Sequence, residues 1–163
     1  DSVMDVNLHG VVNMTRAFMP YLKDRPEAAI VNTSSIFGMV AVPKQSVYHA
    51  TKFAVRGFTE SLAKELKDSS VQVHCVHPGH IGTNILSTAK FNEDDEKGPG
   101  ISLGLGPQTR EEMGDAFKKH GMHPSRAAEI ILQGVKKKKT RIFGYLTRRG
   151  FSTGSILKAL KQS

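Results

Sequence analysis

Apolar and polar positions along the chain follow two periods, one typical of helices and one typical of buried strands. Apolar residues recur every three to five positions over 2–23 and 46–67, which predicts two long helices. Short, partly β-branched apolar runs at 28–34, 71–76 and 141–146 predict buried strands. Because helices and strands alternate, the pattern favours an α/β fold in which parallel strands form one sheet.

Two stretches between these elements carry no sustained period. Residues 36–45 contain Gly and Pro and are predicted to form a loop. Residues 82–108 are rich in Gly and contain an acidic run, and we expect 84–125 to act as a lid over a site. Within that region, a Thr followed three residues later by a Glu predicts a capping box and a short helix over 109–121.

The helical period also predicts which side chains face the core. A further helix is predicted from Ser125, as its N-cap, to Val135. The positions predicted to form the apolar sides of the helices are Val6, Val11, Met14, Phe18 and Leu22, then Phe53, Phe58, Leu62 and Leu66, then Ala128, Ile131, Leu132 and Val135.

Composition excludes several classes of protein. The 163 residues are 39% hydrophobic and 23% charged, which is ordinary for a globular protein and excludes wholesale disorder. Their number favours a single domain. One Cys excludes a disulfide framework and any metal site built on several thiolates. The sequence contains no run of 18 apolar residues and shows no targeting signal, so we expect a cytoplasmic protein without a transmembrane segment.

The net charge of +8 is concentrated in the last third of the chain. Residues 1–109 hold 10 Lys and Arg against 11 Asp and Glu, whereas residues 110–163 hold 13 against 4. The densest run is Lys136–Lys139, and residues 147–163 are predicted to form a basic tail. A solvated helix end explains the run, because cations suit the negative end of a helix dipole. No nucleic-acid-binding motif accompanies it, so nucleic acid is not an expected partner.

Histidine spacing gives no metal site. His74, His77 and His80 follow one another at three-residue intervals in a predicted strand and the turn after it. Side chains placed in this way do not converge on one ion, and no carboxylate or thiol completes a zinc site. Cys75, inside the same apolar run, is predicted to be an inert core residue.

Tyr48 and Lys52 lie four residues apart in the second predicted long helix, so they share one face. A free phenol has a pKa near 10, and a nearby ammonium lowers that value toward useful acid/base chemistry. An ordinary surface pair is the alternative. Tyr21 has a cation four residues on, and Tyr145 does too.

The setting of Tyr48 makes a stronger pattern than the pair alone. Ser35 follows the first predicted strand, Asn7 interrupts an apolar helical pattern, and the turn Pro78-Gly79-x-x-x-Thr83 follows the second strand. In order and spacing, these residues closely resemble the short-chain dehydrogenase/reductase superfamily over residues 1–84, and loosely to 146. The resemblance implies a Rossmann-like, doubly wound parallel sheet, of which about three strands and their flanking helices are present.

The resemblance implies a role for each matching side chain. Tyr48 would be the acid/base that moves a proton to or from the substrate oxygen. Lys52 would lower the pKa of Tyr48 and hydrogen-bond the nicotinamide ribose. Ser35 would hold the substrate oxygen, because the neighbouring Ser34 is one residue off the expected spacing. Asn7 would support a water-mediated proton relay toward Lys52. As alternatives, Asn7 could satisfy backbone groups at a helix irregularity, and Ser35 could be a turn residue.

The turn after the second strand would belong to the cofactor site. By the same resemblance, the backbone from Pro78 and Gly79 to Ile81 and the Thr83 hydroxyl would position the nicotinamide of NAD or NADP. The implied activity is hydride transfer between a nicotinamide cofactor and an alcohol, ketone or aldehyde. Apolar side chains in the predicted lid favour an apolar substrate.

Two family segments have no match in these residues. The glycine-rich Thr-Gly-x-x-x-Gly-x-Gly turn and the Asn-Asn-Ala-Gly segment would both precede Asp1. We therefore expect 1–163 to be the C-terminal, catalytic portion of a larger domain. Alone, it is expected to be inactive and to bind no dinucleotide tightly. The residues that choose NAD or NADP would lie in the missing portion.

Two further expectations concern partners. The resemblance implies a homodimer or tetramer formed through the two long helices. In the second of them Ala50, Ala54, Gly57 and Ser61 would allow close approach, although they could equally pack on the chain's own sheet. The alternative to an enzyme is a non-catalytic binding or scaffold protein that retains the fold and has a basic C-terminal surface.

Overall fold

A computed structural model describes residues 2–43, 45–85, 114–115, 118–138 and 141–143. The regular elements used below are helices α1 (Ser2–Met4), α2 (Gly10–Lys23), α3 (Ser46–Glu65) and α4 (Pro124–Lys136), a π-helical segment (Asp5–His9), a 3-10 turn (Ile36–Gly38), and strands β1 (Ala28–Thr33), β2 (Val71–His77) and β3 (Arg141–Phe143). Most of the predicted lid, the start of the predicted 109–121 helix and the predicted tail lie outside the described residues.

The three strands form one parallel sheet in the order β1-β2-β3. Ile30 of β1 lies opposite Val73 of β2, and Val76 of β2 lies opposite Ile142 of β3. The central strand β2 is buried along nearly its whole length. The predicted α/β fold with a parallel sheet and flanking helices is therefore confirmed, and a strand is present at each predicted position. The prediction that all are buried is wrong for β1, where alternate residues such as Val31 are exposed. Residues 144–146 of the predicted third strand lie outside the described residues.

The core lies between the sheet and two helices. Ile30, Val71 and Val73 form its buried centre. The partly buried side chains packed against them are Met19 and Leu22 of α2, Ala28 of β1, Leu62 and Ala63 of α3, and Leu66. A fully buried Ile or Val side chain, as at Ile30, Val71 and Val73, contributes about 1.5–3 kcal/mol, and the partly buried ones contribute less. This packing fixes α3 across β1 and β2, and α3 carries the Tyr–Lys pair.

The predicted apolar side of α3 is partly wrong. Phe53 is 41% exposed, whereas the residues that α3 buries are His49, Thr51, Val55 and Thr59. The reason is polar pairing with the sheet: Asn32 of β1 donates a hydrogen bond to the Thr59 hydroxyl at 3.1 Å. Thr59 in turn donates to the Val55 carbonyl oxygen at 2.6 Å.

In the other helices, too, some residues predicted to face the core are exposed. Val6 and Phe18 are 72% and 51% exposed, and Met14 is exposed as well. In α4, Ala128 and Leu132 are exposed, because the helix approaches the sheet through Gly134 instead. A Cβ at Gly134 would lie 2.6 Å from Cγ1 of Ile142. The close approach therefore needs a residue without a side chain, which hydrophobic periodicity does not register.

The first and the last predicted helices also differ from the prediction in detail. The first predicted helix contains the π-helical segment Asp5–His9, where the backbone hydrogen bonds reach one residue further. Ser125 is not the N-cap of α4: His123 occupies that position and accepts a hydrogen bond from the Ser125 backbone nitrogen. Pro124 begins the helix, where its missing N–H costs nothing.

The end of α4 yields a stability prediction. Lys138 has a φ of 53°, a left-handed conformation that costs a non-glycine residue energy. We expect Lys138→Gly to raise the free energy of unfolding by about 0.5–1 kcal/mol, measured by urea denaturation. Lys137→Gly is the matched control, since it removes the same charge at a φ of −87° and should lower stability. A Lys138→Gly variant less stable than the parent would contradict the expectation.

The outward side of α3 carries small residues. Ala50, Gly57 and Ser61 are exposed, next to the exposed Phe53. Self-association through the long helices stays a prediction.

Among the described residues, no helix is both long enough and apolar enough to cross a membrane.

Candidate active site

The carboxyl ends of β1 and β2 meet at one edge of the sheet. The backbone nitrogen of Ile36 donates to the Pro78 carbonyl oxygen at 2.9 Å. The Nδ1 atom of His77 lies 3.2 Å from the Ser35 carbonyl oxygen. These two contacts place the residues after each strand side by side, at the edge where ligands bind in parallel α/β sheets.

Ser35 lies at this edge and touches both the turn and α3. It is 8% exposed, and its hydroxyl accepts a hydrogen bond from the Phe37 backbone nitrogen at 3.1 Å, which caps the 3-10 turn. Its side chain also lies close enough to the Tyr48 phenol to lower the pKa of that group. The structure therefore brings together Ser35 and Tyr48, two of the predicted site residues.

The neighbouring serine has a different position. Ser34 is 2% exposed, and its hydroxyl donates to the Lys52 carbonyl oxygen at 2.8 Å. This bond ties the end of β1 to the backbone of α3. That Ser35, and not Ser34, would hold a substrate oxygen stays a prediction.

Tyr48 and Lys52 face the same edge from α3. The Lys52 ammonium lies 5.6 Å from the centroid of the Tyr48 ring. It also donates to the carbonyl oxygen of Thr33, at the end of β1, over 3.3 Å. The i,i+4 spacing read from the sequence thus corresponds to a shared face that points at the end of the strand.

Burial shifts the pKa of both groups. Burial raises the pKa of the Tyr48 phenol above its ordinary value, and the Ser35 side chain offsets part of that rise. Burial lowers the pKa of the Lys52 ammonium, which the Cys75 side chain partly opposes. At neutral pH Tyr48 therefore holds its proton, which is the form a proton donor needs. That Lys52 lowers the pKa of Tyr48 stays a prediction.

Asn7 reaches α3 from the π-helical segment. Its Nδ2 donates to the Thr51 hydroxyl at 3.2 Å, and that hydroxyl donates to the Tyr48 carbonyl oxygen at 2.7 Å. Thr51 is fully buried and precedes Lys52 directly. Sequence reasoning missed Thr51, because nothing in the pattern distinguishes a buried Thr from a surface one.

The turn after β2 is held against the segment that precedes α4. The Met122 backbone nitrogen donates to the His80 carbonyl oxygen at 2.9 Å, and the Gly82 nitrogen donates to the Met122 carbonyl oxygen at 2.9 Å. The Thr83 nitrogen donates to the Ile81 carbonyl oxygen at 2.8 Å. Ile81 and Thr83 therefore lie in a turn of defined shape after β2. Their contact with a nicotinamide stays a prediction.

The described residues form neither a metal-binding cluster nor a thiol that ionises at neutral pH. No group of three His, Cys, Asp or Glu side chains there is arranged to hold a metal ion. Cys75 is fully buried, and burial raises the pKa of its thiol to about 11. Because the thiolate is the reactive form, Cys75 is inert at neutral pH.

A parallel α/β sheet with Ser, Tyr and Lys at the carboxyl ends of its strands has the features that the sequence resemblance implies. The sequence model of the family described as short chain dehydrogenase matches residues 1–94. The chain belongs to this family, a family of oxidoreductases.

Curated relatives agree with this assignment. SadH of Mycobacterium tuberculosis, named an oxidoreductase, is 40% identical over 145 residues, which are 87% of this chain and 48% of that protein. The 3-ketodihydrosphingosine reductase of Bacteroides thetaiotaomicron is 32% identical over 139 residues, which are 83% of this chain and 49% of that protein. The chain thus spans about half the length of these relatives.

Solved structures share the fold. A short chain dehydrogenase/reductase from Burkholderia phymatum, in complex with NAD, matches with a TM-score of 0.68 and 24% identity over 85% of this chain and 50% of that one. A short chain dehydrogenase from Burkholderia cenocepacia, in complex with NADP, matches with a TM-score of 0.62 and 25% identity over 97% and 54%.

Proposed function

We propose that the protein is an NAD(P)-dependent oxidoreductase that interconverts a ketone or aldehyde and the corresponding alcohol. The observation that supports this best is the shared position of Tyr48 and Lys52, whose ammonium lies 5.6 Å from the centre of the Tyr48 ring, beside the Ser35 side chain that lowers the pKa of Tyr48. It combines a neutral proton donor, a second hydroxyl and a cation at the edge of the sheet where ligands bind. Family membership supports the same chemistry.

Lys52 is chemically suited to a dinucleotide. An ammonium has three protons to donate, and the bond to the Thr33 carbonyl oxygen is long at 3.3 Å and uses one of them. The remaining protons suit the hydroxyls of a ribose. Pro78, Gly79, Ile81 and Thr83 would hold the nicotinamide end. The Burkholderia structures contain NAD in one case and NADP in the other, which supports a nicotinamide cofactor without choosing between them.

The proton step follows from the geometry of this chain's own residues. A bound nicotinamide supplies or accepts the hydride. In the direction of reduction, Tyr48 donates its hydroxyl proton to the carbonyl oxygen as that oxygen gains negative charge. Ser35, whose side chain lies beside the Tyr48 phenol, would hold the same oxygen in line. Asn7 and Thr51 fix the helix next to Lys52, where a proton relay would begin.

One relative favours an apolar substrate. The Bacteroides relative is named a 3-ketodihydrosphingosine reductase, and such a substrate carries a ketone on a long apolar chain. We extend the apolar character, and not that particular substrate, to this protein. Decanal, 2-decanone and cyclohexanone are therefore suitable probes.

The test uses the protein as encoded, with any coding sequence that precedes Asp1, and follows NADH or NADPH oxidation with these probes. Ser35→Ala is expected to lower kcat/KM by about 10²-fold, because it removes a hydrogen bond to the developing oxyanion. Ser34→Ala is the matched control: it loses the bond to the Lys52 carbonyl oxygen, so stability falls more than activity.

The activity of the parent protein distinguishes an enzyme from a non-catalytic binding protein. Carbonyl reduction by the parent that falls in Ser35→Ala supports the enzyme. A parent that oxidises neither cofactor with any probe contradicts it and leaves a non-catalytic binding protein.

A further inference from the structure

His49 is a buried side chain that the proposed reaction does not use. It follows Tyr48 in the first turns of α3 and is 6% exposed. Its Nδ1 lies 2.9 Å from the Phe37 carbonyl oxygen. Its Nε2 lies 3.0 Å from the backbone nitrogen of Val42. Both ring nitrogens therefore bond to the backbone of the segment between Ser35 and Tyr48.

The two partners determine where the ring proton lies. The Phe37 carbonyl oxygen can only accept, so Nδ1 must donate to it. The Val42 nitrogen can only donate, so Nε2 must accept from it. His49 is therefore a neutral imidazole with its proton on Nδ1. In a protonated ring, Nε2 would also carry a hydrogen, and that N–H would point at the Val42 N–H.

These bonds fix the path of the segment that borders the site. Phe37 belongs to the 3-10 turn capped by Ser35, and Val42 lies five residues further on. The Phe37 ring meets the Tyr48 ring edge-on at 6.4 Å and the His49 ring edge-on at 5.1 Å. The imidazole thus holds both the backbone of the segment and the Phe37 ring, which packs against the Tyr48 ring.

A second link from α3 keeps the segment in place without His49. Arg56 donates from Nη1 to the Gly38 carbonyl oxygen at 3.4 Å. The segment would therefore keep one attachment to α3 when the imidazole is removed. It would lose the attachment that is closest to Tyr48.

We propose that His49 is a positioning residue that shapes the substrate-binding wall formed by residues 36–43. It touches neither substrate nor reacting atoms and acts through Phe37 and Val42. The inference rests on the proposed function, because it assigns this segment to the substrate site. Loss of His49 should therefore weaken substrate binding and leave the proton step at Tyr48 largely intact.

The test compares the parent protein and His49→Ala with decanal as the varied substrate. We expect KM to rise about tenfold, the effect of losing well-formed hydrogen bonds. We expect kcat to stay within about threefold, because uniform binding rather than transition-state stabilisation is lost. Added imidazole, which can donate and accept, should enter the space left by the ring and lower KM toward the parent value.

1-Methylimidazole is the matched control ligand, since it fills similar space and accepts a hydrogen bond but cannot donate one. Equal rescue by both ligands would show that His49 only fills space, and an unchanged KM in His49→Ala would equally overturn the inference. If the Ala variant does not fold, His49→Asn and His49→Gln each keep one of the two bonds and should show intermediate KM values.

Nitrogen-15 spectra of the parent provide a readout that is independent of activity. A ring proton on Nδ1 is expected, and a proton on Nε2 would overturn the inference. A parent without carbonyl reductase activity is a different outcome, because it refutes the proposed function itself. An active parent with an unchanged KM on loss of His49 refutes only the inference.

Discussion

Tyr48→Phe is expected to lower kcat/KM for carbonyl reduction by about 10²–10⁴-fold, the range for loss of a general acid. The substitution removes the hydroxyl whose pKa the Ser35 side chain lowers and keeps the ring that packs against Phe37 and His49. Stability should therefore change little. Steady-state NADH or NADPH oxidation with decanal measures the effect.

Tyr21→Phe is the control for this substitution. Tyr21 also has a cation four residues further on, yet it is 69% exposed on α2. Its loss should leave activity unchanged, because spacing alone does not create a proton donor. Equal losses in both variants, or an active Tyr48→Phe variant, would remove Tyr48 from the mechanism.

Gly38→Ala is expected to lower the free energy of unfolding by about 1–3 kcal/mol, the usual cost of overpacking. A Cβ at Gly38 would lie 2.7 Å from the Lys52 carbonyl oxygen and would press against the Ser34 hydroxyl. These two groups are bonded to each other and cannot easily yield. Because the displaced backbone carries the Tyr–Lys pair, activity should fall with stability. Urea denaturation and the decanal assay measure the two effects.

Gly57→Ala, in the middle of α3, gives the opposite expectation. Nothing lies within 4 Å of a Cβ at Gly57, on the exposed side of α3. The variant should be more stable by about 0.5–1 kcal/mol, because Ala is the better helix former. Both variants are compared at equal protein concentration. A Gly38→Ala variant as stable as Gly57→Ala would show that the contact between the 3-10 turn and α3 is not tight.

The strands could be predicted because buried parallel strands are near-continuous apolar runs. In β2 the apolar residues Val71, Val73, Cys75 and Val76 dominate the run, and the structure buries both faces of the strand. The inward side of α3 could not be predicted by the same reasoning. Its large residue Phe53 points outward, while Thr59 pairs with the polar Asn32 of β1. Which stripe of a helix faces the sheet depends on the partner strand.

The candidate site likewise has residues that local sequence could predict and contacts that it could not. The i,i+4 spacing placed Tyr48 and Lys52 on one face, and the end of the first predicted strand placed Ser35 near them. The contacts of Asn7 with Thr51 and of His49 with Val42 depend on how separate elements meet in space. Local sequence holds no signal for such contacts.

In the proposed reaction Tyr48 would supply the proton and a bound nicotinamide would supply the hydride. The most direct measurement follows deuterium from NADH or NADPH labelled at C4 of the nicotinamide into the alcohol formed from decanal, 2-decanone or cyclohexanone. The parent protein should place the label on the former carbonyl carbon, and Tyr48→Phe should do so at least about 10²-fold more slowly. Absence of label with every probe, or equal rates of labelling in the two proteins, would contradict the account.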